Sequence, residues 1–472
     1  MVLQRNQPIH IQGTVEGKTN QQSMQLTARL SSGSKQYESS TTVSVGKQFE
    51  ISIPTAPAQT NAYTLTFLIG EQVIHAIHNV YIGDVFLAAG QSNMELNEAD
   101  YYGTTASFTN NAQGLFTASD LPTLINDTNV HFLIANHDSA GSELPISELN
   151  KNGWLPATSD NAQHLGYLPQ LFAERLRQKS PDVPIGIIQV AWGGTNIYQH
   201  LKGSSIYNNH IAPLKGYHIA GILWYQGEND AAELASALQY ESQFTALINQ
   251  YRDVFTQSDL PFLYVQIARY TNYQYMPIVR QAQYNALYSI ALGTTKNLAM
   301  TICIDTDKGT AALIHPLGKE ILAERMANQW LAMTNDKTPP SGPMAKSASI
   351  VSGDTSTVTI DFNSGTADGL QARQPNYALN VTSANLSTTT TEPLEGFEVA
   401  GSDGVFYPAN ATIQNEDNTV TVHSDAVAKM TQVRYLWDGA PASRSMLYNG
   451  DNLPASPFLL AAHGTSITYP FG

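Results

Sequence analysis

Two kinds of apolar periodicity divide this chain into three parts. Near its start, residues 48–53 and 62–67 alternate apolar and polar side chains between turns rich in Gly, Ser and Asn. The same alternation returns far along the chain, at residues 357–362 and 419–423. A period of two predicts β-strands with one buried face, so we expect a β-sandwich region at each end.

In the middle of the chain, apolar runs that suit buried strands alternate with helical patterns. Apolar side chains recur at helical spacing in three groups: Leu168, Leu171, Phe172 and Leu176; Phe244, Leu247, Ile248, Tyr251 and Phe255; and Leu322, Met326 and Trp330. Alternating strands and helices predict a parallel sheet covered by helices. Segment 96–160 is rich in Asn, Thr and Asp, so we expect long loops over the site there, with one strand at 130–134.

The predicted domain boundaries follow from these patterns and from one proline-rich run. The sequence TPPSGP, at 338–343, is typical of a linker. We predict an N-terminal β region at 1–80, an α/β domain at 81–337 and a C-terminal β region at 338–472, and whether the two β regions form one joint domain stays open. The Ser/Thr run at 387–391 predicts a polar turn or loop.

Polar clusters follow apolar runs at several points in the α/β part. GQSNM at 90–94 follows VFLAA, VAWGGTN at 190–196 follows IGII, and WYQGE at 224–228 follows IAGIL. IHP at 314–316 comes after a strand-like stretch and a loop. Because ligands bind at the carboxyl edge of an open α/β sheet, we expect these clusters to meet in one site.

The amino-acid sequences of these clusters resemble the conserved motifs of a known family. GQSNM resembles the first sequence block of the SGNH (GDSL-like) hydrolases, in the form carried by sialate O-acetylesterases and related carbohydrate acetylesterases. The first five residues resemble the family's opening, and segments at 396–401, 433–437 and 453–458 resemble its closing β region. The resemblance implies an SGNH-type three-layer α/β/α catalytic domain flanked by β-sandwich regions, and a serine esterase that removes O-acetyl groups from sugars.

Ser92 and His315 are the candidate nucleophile and base. Ser92 ends a strand on a turn that begins with glycine, which exposes a hydroxyl and leaves its backbone N–H to face an oxyanion. His315 lies between Ile314 and Pro316, and the resemblance places the family's catalytic histidine in this motif. A carboxylate partner would raise the pKa of His315, so activity is expected to fall as the pH drops through roughly 6–7.

The sequence indicates the third member of a catalytic triad, the acid that orients the histidine, less directly. The general SGNH pattern has an aspartate three residues before the histidine, where this chain has Ala312. Related acetylesterases with a Gln-Gly-Glu motif use its glutamate, so the resemblance points to Glu228. Asp305, Asp230 and Asp307 are the alternatives, of which Asp305 is the strongest because it directly follows a strand.

Oxyanion and substrate contacts complete the predicted site. The backbone N–H of Ser92 and of Gly194 are two expected oxyanion donors, and glycine lets a ligand approach closely. The resemblance gives the third donor to the side chain of Gln226, although GEND at 227–230 also matches the G-x-N-D of the general pattern. The candidate sugar contacts are Arg280, Trp192 and Trp224, with Tyr198, Tyr270, Tyr273 and Tyr275 as further aromatic candidates.

The amino-acid composition limits the classes of binding partner that the chain can have. The net charge of −15 argues against nucleic acid and anionic membranes. No apolar run reaches a membrane span, and no ligand spacing or phosphate loop indicates a metal or cofactor. The single cysteine, Cys303, is expected to be a buried strand residue. No signal peptide is recognised; a chain whose leader has been removed would look the same, so compartment and oligomeric state stay open.

The expected partner is therefore an O-acetylated carbohydrate. Sialic acid esters are the substrate that the resemblance implies first, and acetylated xylan or another polysaccharide is the alternative. A non-catalytic carbohydrate-binding protein on the same scaffold is the rival from another class, and a complete set of Ser92, Gln226, Glu228 and His315 speaks against it.

Overall fold

The N-terminal region is a set of mainly antiparallel strands with its own core. The computed structural model of the protein describes residues 1–17, 23–97, 116, 120–135, 153–289 and 297–462. The first six strands are β1 (Val2–Gln4), β2 (Ile9–Thr14), β3 (Met24–Ser32), β4 (Lys35–Val43), β5 (Gln48–Ile53) and β6 (Tyr63–Ile69). Leu26, Ala28 and Leu30 alternate with partly exposed residues along β3, as the period of two predicts. Their side chains lie in a core separate from that of the rest of the protein.

Strand β7 (Gln72–Gly90) joins this region to the α/β part. Its first half pairs antiparallel with β6, and its second half pairs parallel with later strands. The predicted boundary at residue 80 thus falls inside a continuous strand. Residues 85–89 are buried on both faces, which explains their unbroken apolar run, because a central parallel strand has no solvent face.

The central sheet places β7 at its topological switch point. Its other strands are β8 (Asp127–Ile134), β9 (Leu155–Ala157), β10 (Ile185–Gln189), β11 (Gly221–Tyr225), β12 (Phe262–Val265) and β13 (Leu298–Thr301). The spatial order is β13-β12-β11-β7-β10-β8-β9, and only β9 runs antiparallel to its neighbour among these pairs. The chain fills the β8 side of β7 and then crosses to β11, so a crevice is expected at the carboxyl end of β7.

Helices cover both faces of the sheet. They are α1 (Ser92–Glu95), α2 (Tyr167–Lys179), α3 (Leu234–Phe255), α4 (Met276–Leu287) and α5 (Lys319–Met333). On one face Phe86 meets Phe172 of α2 and Trp330 of α5, at ring centroid distances of 5.0 and 5.1 Å. On the other face Trp224 stacks on Phe244 of α3 at 6.1 Å. The predicted three-layer arrangement is confirmed.

Helix α4 had no counterpart among the predicted helices. Most of its residues are buried, the polar Arg280, Gln281 and Gln283 among them. A helix surrounded by protein shows no polar stripe, so its sequence lacks the periodic signal of a surface helix.

The C-terminal region packs onto the α/β part. Its strands are β14 (Ala345–Val351), β15 (Asp354–Phe362), β16 (Gln371–Pro375), β17 (Ser387–Thr389), β18 (Phe397–Ala400), β19 (Phe406–Pro408), β20 (Asn410–Gln414), β21 (Thr419–His423), β22 (Gln432–Tyr435), β23 (Met446–Tyr448) and β24 (Phe458–Ala461). These strands share one continuous core with the central sheet and its helices. Residues 337–344, which include the predicted linker, form neither helix nor strand.

Two local predictions need correction. Part of the run at 387–391 is a strand, because β17 pairs antiparallel with β16; small hydroxyl side chains fit an edge strand as well as a turn. Cys303 is buried but lies just beyond β13. Most of segment 96–160, with its expected loops, lies outside the described residues, and β8 confirms the strand expected at 130–134. Within the described ranges, none of the helices has the length and apolar content needed to cross a membrane.

Candidate active site

Ser92 lies at the edge of the sheet, two residues after Gly90, the last residue of strand β7. No other residue type could replace this glycine. Gly90 has φ of +120°, and a Cβ built on it would lie 2.2 Å from the Tyr225 carbonyl oxygen. The N–H of Gln91 donates to that same carbonyl at 2.9 Å. The chain thus turns tightly against β11, and Ser92 becomes the first residue of α1.

His315 meets Ser92 across the site. Its Nε2 lies 2.8 Å from the Ser92 Oγ. The loop that carries His315 is fixed by the Leu317 N–H, which donates to the Thr310 Oγ1 at 3.0 Å. Burial, together with the positive charge of Lys319, lowers the pKa of His315 to about 3. The expected upward shift from a carboxylate is therefore wrong: burial and the lysine charge both lower the pKa, and the imidazole is neutral over a wider pH range.

Glu228 lies behind this pair, joined to it through Asn93. The Asn93 Nδ2 donates to the Glu228 Oε1 and also, at 2.9 Å, to the carbonyl oxygen of Ile314, the residue before His315. Glu228 Oε2 is buried and has no hydrogen-bond partner within the described residues. Burial raises the pKa of Glu228 to about 7.

The other residues of the GQSNM segment each hold a further part of the site. The Gln91 Oε1 accepts the N–H of Gly227 at 3.2 Å and the N–H of Asn229 at 3.4 Å. The carboxylate of Glu95, which directly follows the segment, accepts the Gly193 N–H at 2.5 Å. Gln91, Asn93 and Glu95 were not among the site residues predicted from the sequence. Their positions next to Ser92 could have identified them as site residues, because the side chains of neighbours on so tight a turn point toward different segments.

The alternative acids are occupied elsewhere. Asp305 forms a two-pronged ion pair with Arg325, with both N–O distances at 2.8 Å. Asp307 forms one with Arg269, at 2.8 and 2.9 Å. Asp230 accepts the Ile197 N–H at 3.0 Å. These carboxylates fix segments of the fold around the site.

The predicted oxyanion donors differ in their surroundings. Gly194 is exposed and has φ of +71°. Gln226 is fully buried, and its amide nitrogen donates to the Thr195 carbonyl at 3.0 Å and to Asp230 Oδ2 at 2.5 Å. Both of its N–H groups are therefore already used. Asn229 is half-buried, and its Nδ2 donates to the Asn196 Oδ1.

Two of the three predicted sugar contacts lie in the interior. Trp224 is fully buried between α3 and its neighbours. Arg280 is fully buried too, and it donates to the carbonyls of Ile267, Ala268, Asp438 and Gly439 at 2.7–2.9 Å. Neither can touch a sugar in this arrangement. Trp192 is half-buried and stacks on His210, with a centroid distance of 5.3 Å.

Arg280 links the α/β part to the C-terminal region, because its carbonyl partners belong to both. Arg280→Met should lower the free energy of unfolding by about 3 kcal/mol or more, since it leaves buried carbonyls without a donor. Urea denaturation followed by tryptophan fluorescence measures this. Lys215→Met, at an exposed lysine, is the control and should change little; an equally small loss in the Arg280 variant would contradict the structural role.

Among the residues that the structure describes, no three His, Cys, Asp or Glu side chains are grouped closely enough to hold a metal ion. The reactive groups that the site brings together are a serine hydroxyl and an imidazole at the carboxyl edge of a parallel sheet.

The fold is that of the SGNH-type hydrolases. The sequence profile of the family described as "Carbohydrate esterase, sialic acid-specific acetylesterase" matches residues 82–327, more than half of the chain. The chain belongs to this family, which confirms the resemblance seen in its motifs.

Individual relatives agree with this placement. The human sialate O-acetylesterase is 26% identical in an alignment 293 residues long that covers 53% of this chain and 53% of that protein. The chain thus matches about half the length of this curated relative. A probable carbohydrate esterase of Arabidopsis thaliana is 30% identical over 138 residues, 28% of this chain and 48% of that protein. The crystal structure of a carbohydrate acetylesterase from Xanthomonas citri superposes with a TM-score of 0.77 at 26% identity, covering 99% of this chain and 97% of that one.

Proposed function

We propose that this protein is a serine esterase that hydrolyses O-acetyl groups on a carbohydrate. The observation that carries the proposal is the 2.8 Å contact between the Ser92 Oγ and the His315 Nε2 at the switch point of the sheet. The names of the family and of its relatives supply the substrate class, an acetylated sugar.

In the proposed reaction His315 acts first as a base and then as an acid. The Ser92 hydroxyl attacks the acetyl carbonyl carbon while His315 Nε2 takes its proton. The tetrahedral intermediate collapses, the sugar oxygen leaves with the proton from His315, and an acetyl group remains on Ser92. Water then attacks this ester, again with His315 as the base, and acetate leaves. A neutral imidazole is required at the outset, and the lowered pKa of His315 favours it.

We assign the acid role to Glu228. When His315 takes the serine proton it becomes positively charged in a largely buried site, and a carboxylate nearby stabilises that charge. The support for Glu228 is its place on Asn93, which also holds residue 314, and its buried Oε2, which lacks a partner among the described residues. Asp305 and Asp307 are less suited because each already pairs with an arginine.

The Ser92 and Gly194 backbone N–H groups are the proposed oxyanion donors. Exposure and a positive φ at Gly194 allow a substrate to approach its N–H closely. Gln226 would have to release Thr195 or Asp230 before it could donate. Asn229, from the general SGNH pattern, is the better-placed side chain for a third donor because it is partly exposed.

The proposal can be tested by comparing a panel of substrates, O-acetylated sialic acids and acetylated xylo-oligosaccharides, in an assay that follows acetate release. We expect release from sialic acid esters at the higher kcat/KM; preference for the xylo-oligosaccharides would identify a polysaccharide acetylesterase instead. Binding of these sugars without any acetate release would contradict the esterase proposal and favour the carbohydrate-binding alternative.

The same assay in EDTA tests the choice of nucleophile. A hydroxyl activated by histidine needs no metal-bound water, so chelation should leave the rate unchanged. Loss of acetate release on chelation, with recovery on adding zinc, would mean that the nucleophile is a metal-bound hydroxide and that the Ser92 mechanism is mistaken.

A further inference from the structure

Lys319 places a buried cation directly behind the Ser92–His315 pair. It is 2% exposed, and its Nζ donates to the Pro316 carbonyl at 2.8 Å and to the Asn93 Oδ1 at 2.9 Å. Its ammonium also lies 5.5 Å from the centre of the Tyr225 ring. Pro316 follows the histidine and Asn93 follows the serine, so one ammonium group touches both segments that carry the pair.

The acidic groups around Lys319 differ in whether they are charged and in whether another cation already pairs with them. Its electrostatic neighbours are Glu228, Cys303, Glu320 and Asp307. Glu320 is paired with Lys308 at 2.5 Å, and Asp307 with Arg269. Burial raises the pKa of the Cys303 thiol to about 12, so it carries no charge. Glu228 remains as the carboxylate that shares a hydrogen-bonding side chain, Asn93, with Lys319.

We propose that Lys319 is a positioning residue for acetyl transfer, which clamps the serine and histidine segments together and keeps Glu228 ionised and His315 unprotonated. This inference rests on the proposed esterase function. It gives Asn93 a definite role as the bridge: its carbonyl oxygen accepts from the lysine, and its amide donates to the glutamate and to Ile314. The arrangement also explains why a lysine is tolerated in a dry interior, since a buried cation needs an anion and hydrogen-bond acceptors.

The sign of the electrostatic effect is the same at both titrating groups. A positive charge disfavours a second one, so Lys319 lowers the pKa of His315; it favours a negative one, so it also lowers the pKa of Glu228 against the opposing effect of burial. Without the lysine charge both pKa values rise. Each change removes the active protonation state as the pH falls, so the acid limb of the activity profile moves to higher pH.

Lys319→Met tests this, because methionine keeps an unbranched side chain and removes the charge and the donors. We expect kcat for acetate release to fall by about tenfold or more with KM changed by less than about threefold, and the acid limb to move up by about one pH unit. Lys308→Met is the matched control, a nearby buried lysine with its own partner Glu320, and should leave the limb in place. A wild-type limb in the Lys319 variant would overturn the proposal.

A titration of the imidazole keeps the inference testable if the variant folds poorly or the enzyme assay fails. The wild type and Lys319→Gln, which keeps a hydrogen-bond donor but no charge, are compared with ¹³C-labelled histidine assigned by His315→Gln. Burial is common to both proteins, so the His315 ring should become protonated at a higher pH in the glutamine variant than in the wild type. The same ring titration in both proteins would overturn the role of Lys319. Ser92→Ala separates the two claims: full acetate release by that variant overturns the esterase mechanism, whereas the ring titration judges Lys319 by itself.

Discussion

Ser92→Ala should abolish turnover while leaving the fold intact. The hydroxyl is the atom that bonds to the acetyl carbon, and it lies 2.8 Å from the His315 Nε2 that would take its proton. We expect kcat to fall by on the order of 10³-fold or more, with residual catalysis from the oxyanion donors alone. p-Nitrophenyl acetate hydrolysis and thermal melting measure the two properties separately.

The control for this variant is Ser242→Ala, which removes an exposed hydroxyl on α3 that donates to the Gln239 carbonyl within its own helix. It should retain wild-type turnover and melting. Near-normal hydrolysis by Ser92→Ala, with Ser242→Ala also normal, would remove the serine mechanism altogether.

Glu228→Gln should be the second most damaging change. Glutamine keeps the shape of the side chain but cannot stabilise the imidazolium, so kcat should fall by about 10²-fold or more. Because the pKa of Glu228 is raised to about 7 by burial, the carboxylate is lost as the pH drops through that value, and wild-type activity should fall with it. The glutamine variant has no such group, so its remaining acid limb should lie lower, where His315 titrates. Profiles of kcat/KM against pH for both proteins measure the shift.

Asp305→Asn is the comparison for Glu228→Gln, since it also neutralises a buried carboxylate. It breaks the ion pair with Arg325, and we expect a loss of about 3–5 kcal/mol in the free energy of unfolding. The fraction that remains folded should keep its kcat and its acid limb. An inactive Asp305 variant beside an active Glu228 variant would mean that Glu228 is structural.

The sequence predicted which segments meet because that depends only on strand order. Clusters that follow parallel strands arrive at one edge of a sheet whatever the side chains do, and so Ser92 and His315 could be named before the structure. Side-chain direction is different. Residues of β11 are buried on both faces, and nothing in an apolar run indicates that Trp224 points into α3 instead of into the crevice.

Local sequence patterns also could not predict hydrogen-bond and ion-pair partners that lie far apart along the chain. The Arg280 guanidinium is satisfied by carbonyls at residues 438–439, about 158 positions further on, so its sequence neighbours suggested a free cation. The depth of Lys319 and the ion pairs of Asp305 and Asp307 have the same origin. The prediction for the pKa of His315 failed for a related reason: it considered only a carboxylate partner, whereas burial and the charge of Lys319, which lower this pKa, depend on the packed structure.

The most direct test of the central claim is to trap the covalent intermediate. Wild-type protein mixed with an O-acetylated sugar and quenched in acid within the first turnovers should carry one acetyl group, and peptide mass spectrometry should place it on Ser92. A Ser92→Ala sample treated in the same way should carry none. Rapid acetate release by the wild type with no acetylated peptide at any quench time, or an acetyl group on another residue that persists in the alanine variant, would contradict the mechanism.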